Sequence, residues 1–168
     1  MDWLDIKEFI KDTLKYILFI VAVLVIAIYV IGLQQVVGDS MNPTLKNGDV
    51  VIIDKLTYKL IPLKRGDIVS FYYDDTKYLV KRIIGLPGET LEIKNNKIYI
   101  NNEVINDYVK NINMKDFSLE ELGYSKIPDN MYFVMGDNRE NSLDSRDSRV
   151  GLIPKEAIIG KSFHSRLH

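Results

Sequence analysis

No charged residue occurs between Lys15 and Asp39, and from Ile17 to Leu33 every position is apolar, Tyr or Gly. A run of about twenty such residues is what a bilayer crossing needs. An all-round Ile, Val and Leu surface demands burial on every side, and the 133 residues beyond position 35 are too few to supply it. A removable signal peptide would have a shorter apolar core, a more purely basic head and a small-residue cleavage site; here Gln34-Gln35-Val36-Val37 follows instead. The run therefore reads as a retained transmembrane helix. Ahead of it Trp3, Ile6, Ile10 and Leu14 recur at helical spacing among acids and lysines, as in a helix entering a membrane interface. Lys7, Lys11 and Lys15 precede the span closely and no Lys or Arg follows until Lys46. The positive-inside rule then places the N-terminus in the cytoplasm. The expected organisation is a single-pass cell-membrane protein, with residues 1–35 as cytoplasmic tail and anchor and 36–168 as an extracytoplasmic domain.

That domain reads as short strands punctuated by turns, a mainly β fold with antiparallel sheet. Val50–Ile53 follows Asn47-Gly48-Asp49, Ile68–Tyr73 follows Arg65-Gly66-Asp67, and Tyr78–Ile84 ends at Gly85. Each is a β-branched or aromatic run bounded by Gly and Asp. Thr90–Ile105 alternates apolar and polar residues around Asn95-Asn96 and Asn101-Asn102, the pattern of a hairpin meander. Ser118-Leu119-Glu120-Glu121 suits a capped helical turn before Gly123. Met131–Met135 and Ala157–Ile159 supply the last strands. The chain has no cysteine, which rules out disulfides and cysteine metal sites and suits an oxidising compartment. Its net charge of −1 gives no footprint for nucleic acid.

Three stretches of the domain carry polar groups suited to chemistry. Gly38-Asp39-Ser40-Met41-Asn42-Pro43-Thr44 presents Ser40 in a tight turn just beyond the anchor. Such a serine can be a nucleophile, or an ordinary turn residue bonding local backbone. Lys81 lies within a strand, with Leu79 and Ile83 expected on its own face. Apolar surroundings favour a neutral amine able to take a proton, while a strand lysine can also be an edge guard against aggregation. Gly136–Arg146 is a long polar loop after a strand, able to orient a base or simply to be solvated. His164 and His168 have no metal spacing and receive no role.

Four blocks stand in order: Gly38-x-Ser40-Met41-x-Pro43-Thr44, Arg65-Gly66-Asp67-Ile68-Val69, Lys81-Arg82-Ile83-x-Gly85-x-Pro87-Gly88-Glu89, and Gly136-Asp137-Asn138-Arg139-x-x-Ser142-x-Asp144-Ser145-Arg146. Behind an N-terminal anchor, this combination resembles the bacterial type I signal peptidases, in the compact form of Gram-positive bacteria. The resemblance implies a serine endopeptidase that removes signal peptides from secretory preproteins after Ala-x-Ala-like sites, with membrane lipid and the translocation machinery close by and neither metal nor cofactor. It implies Ser40 as nucleophile and Lys81 as general base, with Ser142 hydrogen-bonded to the lysine amine. Asp144 and Arg146 would buttress the site together with Arg82. The Ser40 backbone N–H would serve the oxyanion. Some relatives add a serine hydroxyl two residues earlier, where this chain has Gly38, whose backbone is then a candidate donor. The repeat Asp144-Ser145-Arg146/Asp147-Ser148-Arg149 leaves two possible ion pairs, of which the first is assigned. Val36, Val37, Met41, Leu45, Leu79 and Val80 flank the dyad and are candidate pocket walls for small side chains, core packing being the alternative for each. Self-cleaving repressor peptidases share a Ser/Lys dyad but carry a DNA-binding head where this chain has an anchor. A non-catalytic, membrane-tethered peptide-binding domain is the reading outside enzymes.

Overall fold

The computed structural model describes residues 3–74, 77–109 and 113–164. Helix α1 (Trp3–Val30) is exposed almost throughout and apolar in its second half. Its 28 residues span about 42 Å at 1.5 Å per residue, enough to cross a bilayer. The helix stops short of the end of the apolar run. Ile31–Gln35 forms strand β1 instead, paired antiparallel with Val50–Asp54 (β2), and the Lys55 N–H caps the Val30 carbonyl. The boundary expected after residue 35 therefore falls inside the sheet. An apolar run cannot by itself tell a helix from a strand, and here cross-strand hydrogen bonding decides.

Beyond β2 come a one-turn helix α2 (Thr57–Leu60), β3 (Ile68–Tyr72) and β4 (Tyr78–Gly85). A hairpin meander follows as β5 (Leu91–Lys94), β6 (Lys97–Ile100) and β7 (Glu103–Val104), then β8 (Phe117–Ser118), β9 (Met131–Met135), β10 (Ile153–Pro154) and β11 (Ile158–His164). One sheet runs β1-β2-β11-β3-β4-β9-β10 and the other β7-β6-β5-β8, every pairing antiparallel.

The meander follows the sequence pattern. Asn95, Asn96, Asn101 and Asn102 all have positive φ, from 50° to 68°, the backbone that a two-residue type I′ turn requires. Ser118 and Glu121 form a reciprocal capping box on a 3₁₀ turn, Leu119–Leu122, which ends at Gly123 with φ 81°. Strands β7, β8 and β10 are two residues long, too short to show a period.

Three apolar clusters hold the domain. Ile84, Phe133 and Met135 of the large sheet pack with Leu91, Ile93, Ile98 and Phe117 of the small one. Val69, Phe71, Ile83, Val134 and Ile158 form a second cluster. Val36, Met41, Leu45, Val51 and Val80 form a third, which seats the turn that carries Ser40. Phe133 is fully buried and lies 5.3 Å, centroid to centroid, from Phe117. Phe133→Ala should lower stability by about 3–5 kcal/mol, read as a fall in thermal midpoint of the full chain in detergent micelles.

Candidate active site

Ser40 and Lys81 come from different elements and meet. The Ser40 turn is short because Met41 starts a single helical turn, with the Leu45 N–H bonded to the Met41 carbonyl at 2.9 Å. Met41 and Leu45 both pack into the third cluster. From the other side Asn138 donates its backbone N–H to the Ser40 carbonyl (3.0 Å) and its side-chain amide to the Asp39 carbonyl (3.1 Å). The turn is thus clamped between a core cluster and the polar loop.

The Lys81 ammonium group reaches the Ser40 hydroxyl at 2.7 Å and its own neighbour's carbonyl, Val80 O, at 3.0 Å. Lys81 is only 1% exposed. Burial pulls its pKa from the ordinary 10.5 down to about 8, against the opposing attraction of Asp144 and Asp137. The expected apolar flanks are present: Ile83 is buried in the second cluster and Leu79 packs against it. This lysine guards no edge.

Gly136–Arg146 is not a solvated turn, since Asp137, Arg139, Asp144 and Ser145 are all buried. Asp144 accepts the Gly136 N–H (2.9 Å) and pairs with Arg146 through two contacts of 2.8 Å. The Asp144 side chain is 1% exposed, against 33% for Asp147 in the second copy of the repeat, whose pair with Arg149 lies at the surface. Ser145 bridges back to Val134 on β9 through both its N–H and its hydroxyl.

Several expectations differ from what the structure places. Arg82 does not join Asp144 and Arg146; it forks onto Asp137 at 2.9 and 2.5 Å and donates to the Gly66 carbonyl at 2.8 Å. The loop brings Asp137 alongside β4 while Asp144 is already engaged by Arg146 and Gly136. The Ser142 hydroxyl makes no bond to the lysine amine and is buried without a hydrogen-bond partner. It lies across Gly136 from the Ser40 backbone, so tightly that a Cβ at Gly136 would collide with both. Gly38 has φ +88°, a backbone that L side chains rarely adopt, and its N–H is taken by the Asn47 side chain at 2.8 Å. It offers neither a side-chain nor a backbone donor. The Ser40 N–H makes no hydrogen bond among the described residues. Leu45 is fully buried in the core and absent from the cleft wall.

Val36, Val37, Met41, Leu79 and Val80 do line a cleft of about 390 Å³ that opens onto Ser40 and Lys81, together with Gln34, Gln35, Lys77 and Tyr78. His168 lies outside the described residues.

Asp137 is the residue that sequence reasoning passed over. Its buried carboxylate accepts from Arg82 and from the Thr44 hydroxyl (2.5 Å), with Arg139 at 3.5 Å. Arg139 in turn pairs with Asp107, and Tyr108 stacks under the Arg82 guanidinium at 5.0 Å. Asp137, Arg139 and Thr44 were visible as members of the shared blocks; Asp107 and Tyr108 carried no signal. Arg65 pairs with Glu89 at 2.5 Å, and Gly66 and Asp67 bond Ile83 backbone. Through these contacts the second and third blocks brace the strand that carries Lys81.

An apolar anchor helix ahead of an antiparallel domain, with a lysine on a serine hydroxyl, defines a class of membrane-anchored serine peptidases. Residues 7–165 match the family described as signal peptidase, peptidase S26. Signal peptidase I S of Bacillus subtilis strain 168 is 42% identical over 163 residues, covering 93% of this chain and 88% of its own length. Signal peptidase I of Bacillus caldolyticus is 38% identical over 154 residues, 84% of each chain. The crystal structure of a signal peptidase I from Enterococcus faecalis V583 superposes with a TM-score of 0.53 at 35% identity, covering 60% of this chain and 97% of that one. The chain belongs to the signal peptidase family. It is a type I signal peptidase, a membrane-anchored serine protease that removes signal peptides from secretory preproteins.

The buried carboxylate and the exposed one make a direct contrast. Asp137→Ala strands the Arg82 guanidinium and should lower stability by about 3–5 kcal/mol, whereas Asp147→Ala should leave the thermal midpoint unchanged; differential scanning of both variants in micelles checks this.

Proposed function

We propose that this signal peptidase works through Ser40 and Lys81 alone, without metal or cofactor. The observation that carries the reading is the 2.7 Å contact between the Ser40 hydroxyl and an amine held near pKa 8 by burial. The neutral Lys81 amine accepts the Ser40 proton as Oγ attacks the scissile carbonyl. The tetrahedral oxyanion is met by the unpartnered Ser40 N–H. Collapse breaks the C–N bond, the Lys81 ammonium gives its proton to the leaving amine, and an acyl-enzyme on Ser40 remains. Lys81 then takes a proton from water, the hydroxide attacks the ester, and the proton returns to Ser40.

Ser142 is the positioning residue: across Gly136 from Ser40, its free hydroxyl is available to the lysine amine once Oγ is part of the ester. Arg82 with Asp137, and Arg146 with Asp144, neutralise charge around the lysine. The substrate lies extended over the cleft with small side chains directed inward, giving cleavage after Ala-x-Ala-like sites. Three lysines before the helix support a cytoplasmic N-terminus, with the domain beyond β1 outside, among lipid and the translocation machinery.

Cleavage of a purified preprotein by the full chain in micelles, with the cut mapped by mass, tests the reading. Ser40→Ala and Lys81→Arg should each lose about a thousandfold or more in kcat/KM, because a guanidinium does not give up its proton. For the unmodified chain the neutral fraction of Lys81 is about a tenth at pH 7 and about nine tenths at pH 9. The rate should therefore rise about tenfold over that interval. A flat profile, or activity in Lys81→Arg, refutes the role of Lys81.

A further inference from the structure

Gln34 is a polar side chain where the surroundings are apolar. It is 7% exposed, sits opposite fully buried Val51 in the β1–β2 ladder, and lines the cleft with Val36, Met41 and Val80. Its amide has no hydrogen-bond partner among the described residues. The only sealed, unpartnered side-chain polar atom among those residues is the Ser142 hydroxyl, so the Gln34 amide opens onto the cleft. An amide desolvated by apolar walls is destabilising until something hydrogen-bonds it, and the cleft is where that partner must come from.

The cleft has two free backbone edges. Strand β1 is the outermost of its sheet, and β4 has no partner opposite Tyr78–Val80 on the side where β9 begins pairing only at Arg82. An extended peptide laid along such edges presents alternate side chains to one face, at a spacing of about 7 Å. On β1 and its continuation the matching pair is Val36 and, two residues further from Ser40, Gln34; the ladder continues through the Val36 N–H to Asp49 at 2.8 Å. Val36 therefore walls the position next to the scissile bond, and Gln34 walls the position two residues upstream of it.

We propose that the Gln34 side-chain amide reads the third residue before the cut and favours a hydroxyl-bearing side chain, serine or threonine, over alanine and over valine. The inference rests on the Ser40/Lys81 reading of the same cleft and names which substrates that site prefers.

The test is competition, in one tube, between preproteins that differ only in Ser, Ala or Val at that third position. A ratio measured this way does not depend on how much enzyme is folded. The unmodified chain should cut the Ser form about threefold to tenfold faster than the Ala form in kcat/KM, the range one hydrogen bond supplies. In Gln34→Met the ratio should fall to about one, with Val gaining; Gln34→Leu repeats the measurement if that variant is not recovered. An equal Ser-to-Ala ratio in both enzymes, or no preference in the unmodified one, overturns the inference and leaves the peptidase reading standing. Failure of the unmodified chain to cut any of the three overturns both.

Discussion

Everything in the domain depends on keeping one amine dry. A lysine at a sheet surface would be charged at neutral pH and useless as a base; Lys81, 1% exposed and on the Ser40 hydroxyl, is held near pKa 8. Two carboxylates, Asp144 and Asp137, are close enough to pull it back toward the charged form. Each is engaged by an arginine of its own, Arg146 and Arg82. Burial therefore outweighs attraction. The ion pairs are then more than bracing, because an unpaired carboxylate at either position would fix Lys81 as an ammonium.

The same dryness links the site to the membrane. Helix α1 passes directly into β1, and Ser40 lies only ten residues beyond Val30. Even a fully extended chain of that length spans no more than about 35 Å, so the dyad cannot stray far from the membrane surface that holds the substrate's own apolar segment. Strand β1 serves both purposes: it ties the anchor to the seven-stranded sheet and forms one wall of the cleft. A preprotein leaving the bilayer as an extended chain meets an edge already aligned with the anchor.

Much of this was legible in the sequence, and the parts that were not share a cause. The four blocks identified the dyad, and the period-two patterns located the meander with its Asn-Asn turns. Local signals of that kind depend on near neighbours only. The end of α1 was misread because Ile31–Leu33 is as apolar as the helix before it; what makes it a strand is pairing with residues about twenty positions later. Arg82 was given the wrong carboxylate for a related reason: Asp137 and Asp144 stand in one loop, and only the fold decides which faces β4. Tyr108 and Asp107 were silent because their importance comes from packing on Arg82 and Arg139. Gly38 was legible as a missing side chain, but not as an N–H already spent on Asn47.

The measurement that bears most directly on the central claim is the titration of Lys81 itself. Lysine labelled at the side-chain nitrogen and followed by NMR in the full chain in micelles should show one amine titrating near pH 8, absent from Lys81→Met, while the remaining lysines titrate near 10.5. If every lysine titrates above pH 10, Lys81 is a buried ammonium and the Ser40 hydroxyl has no base.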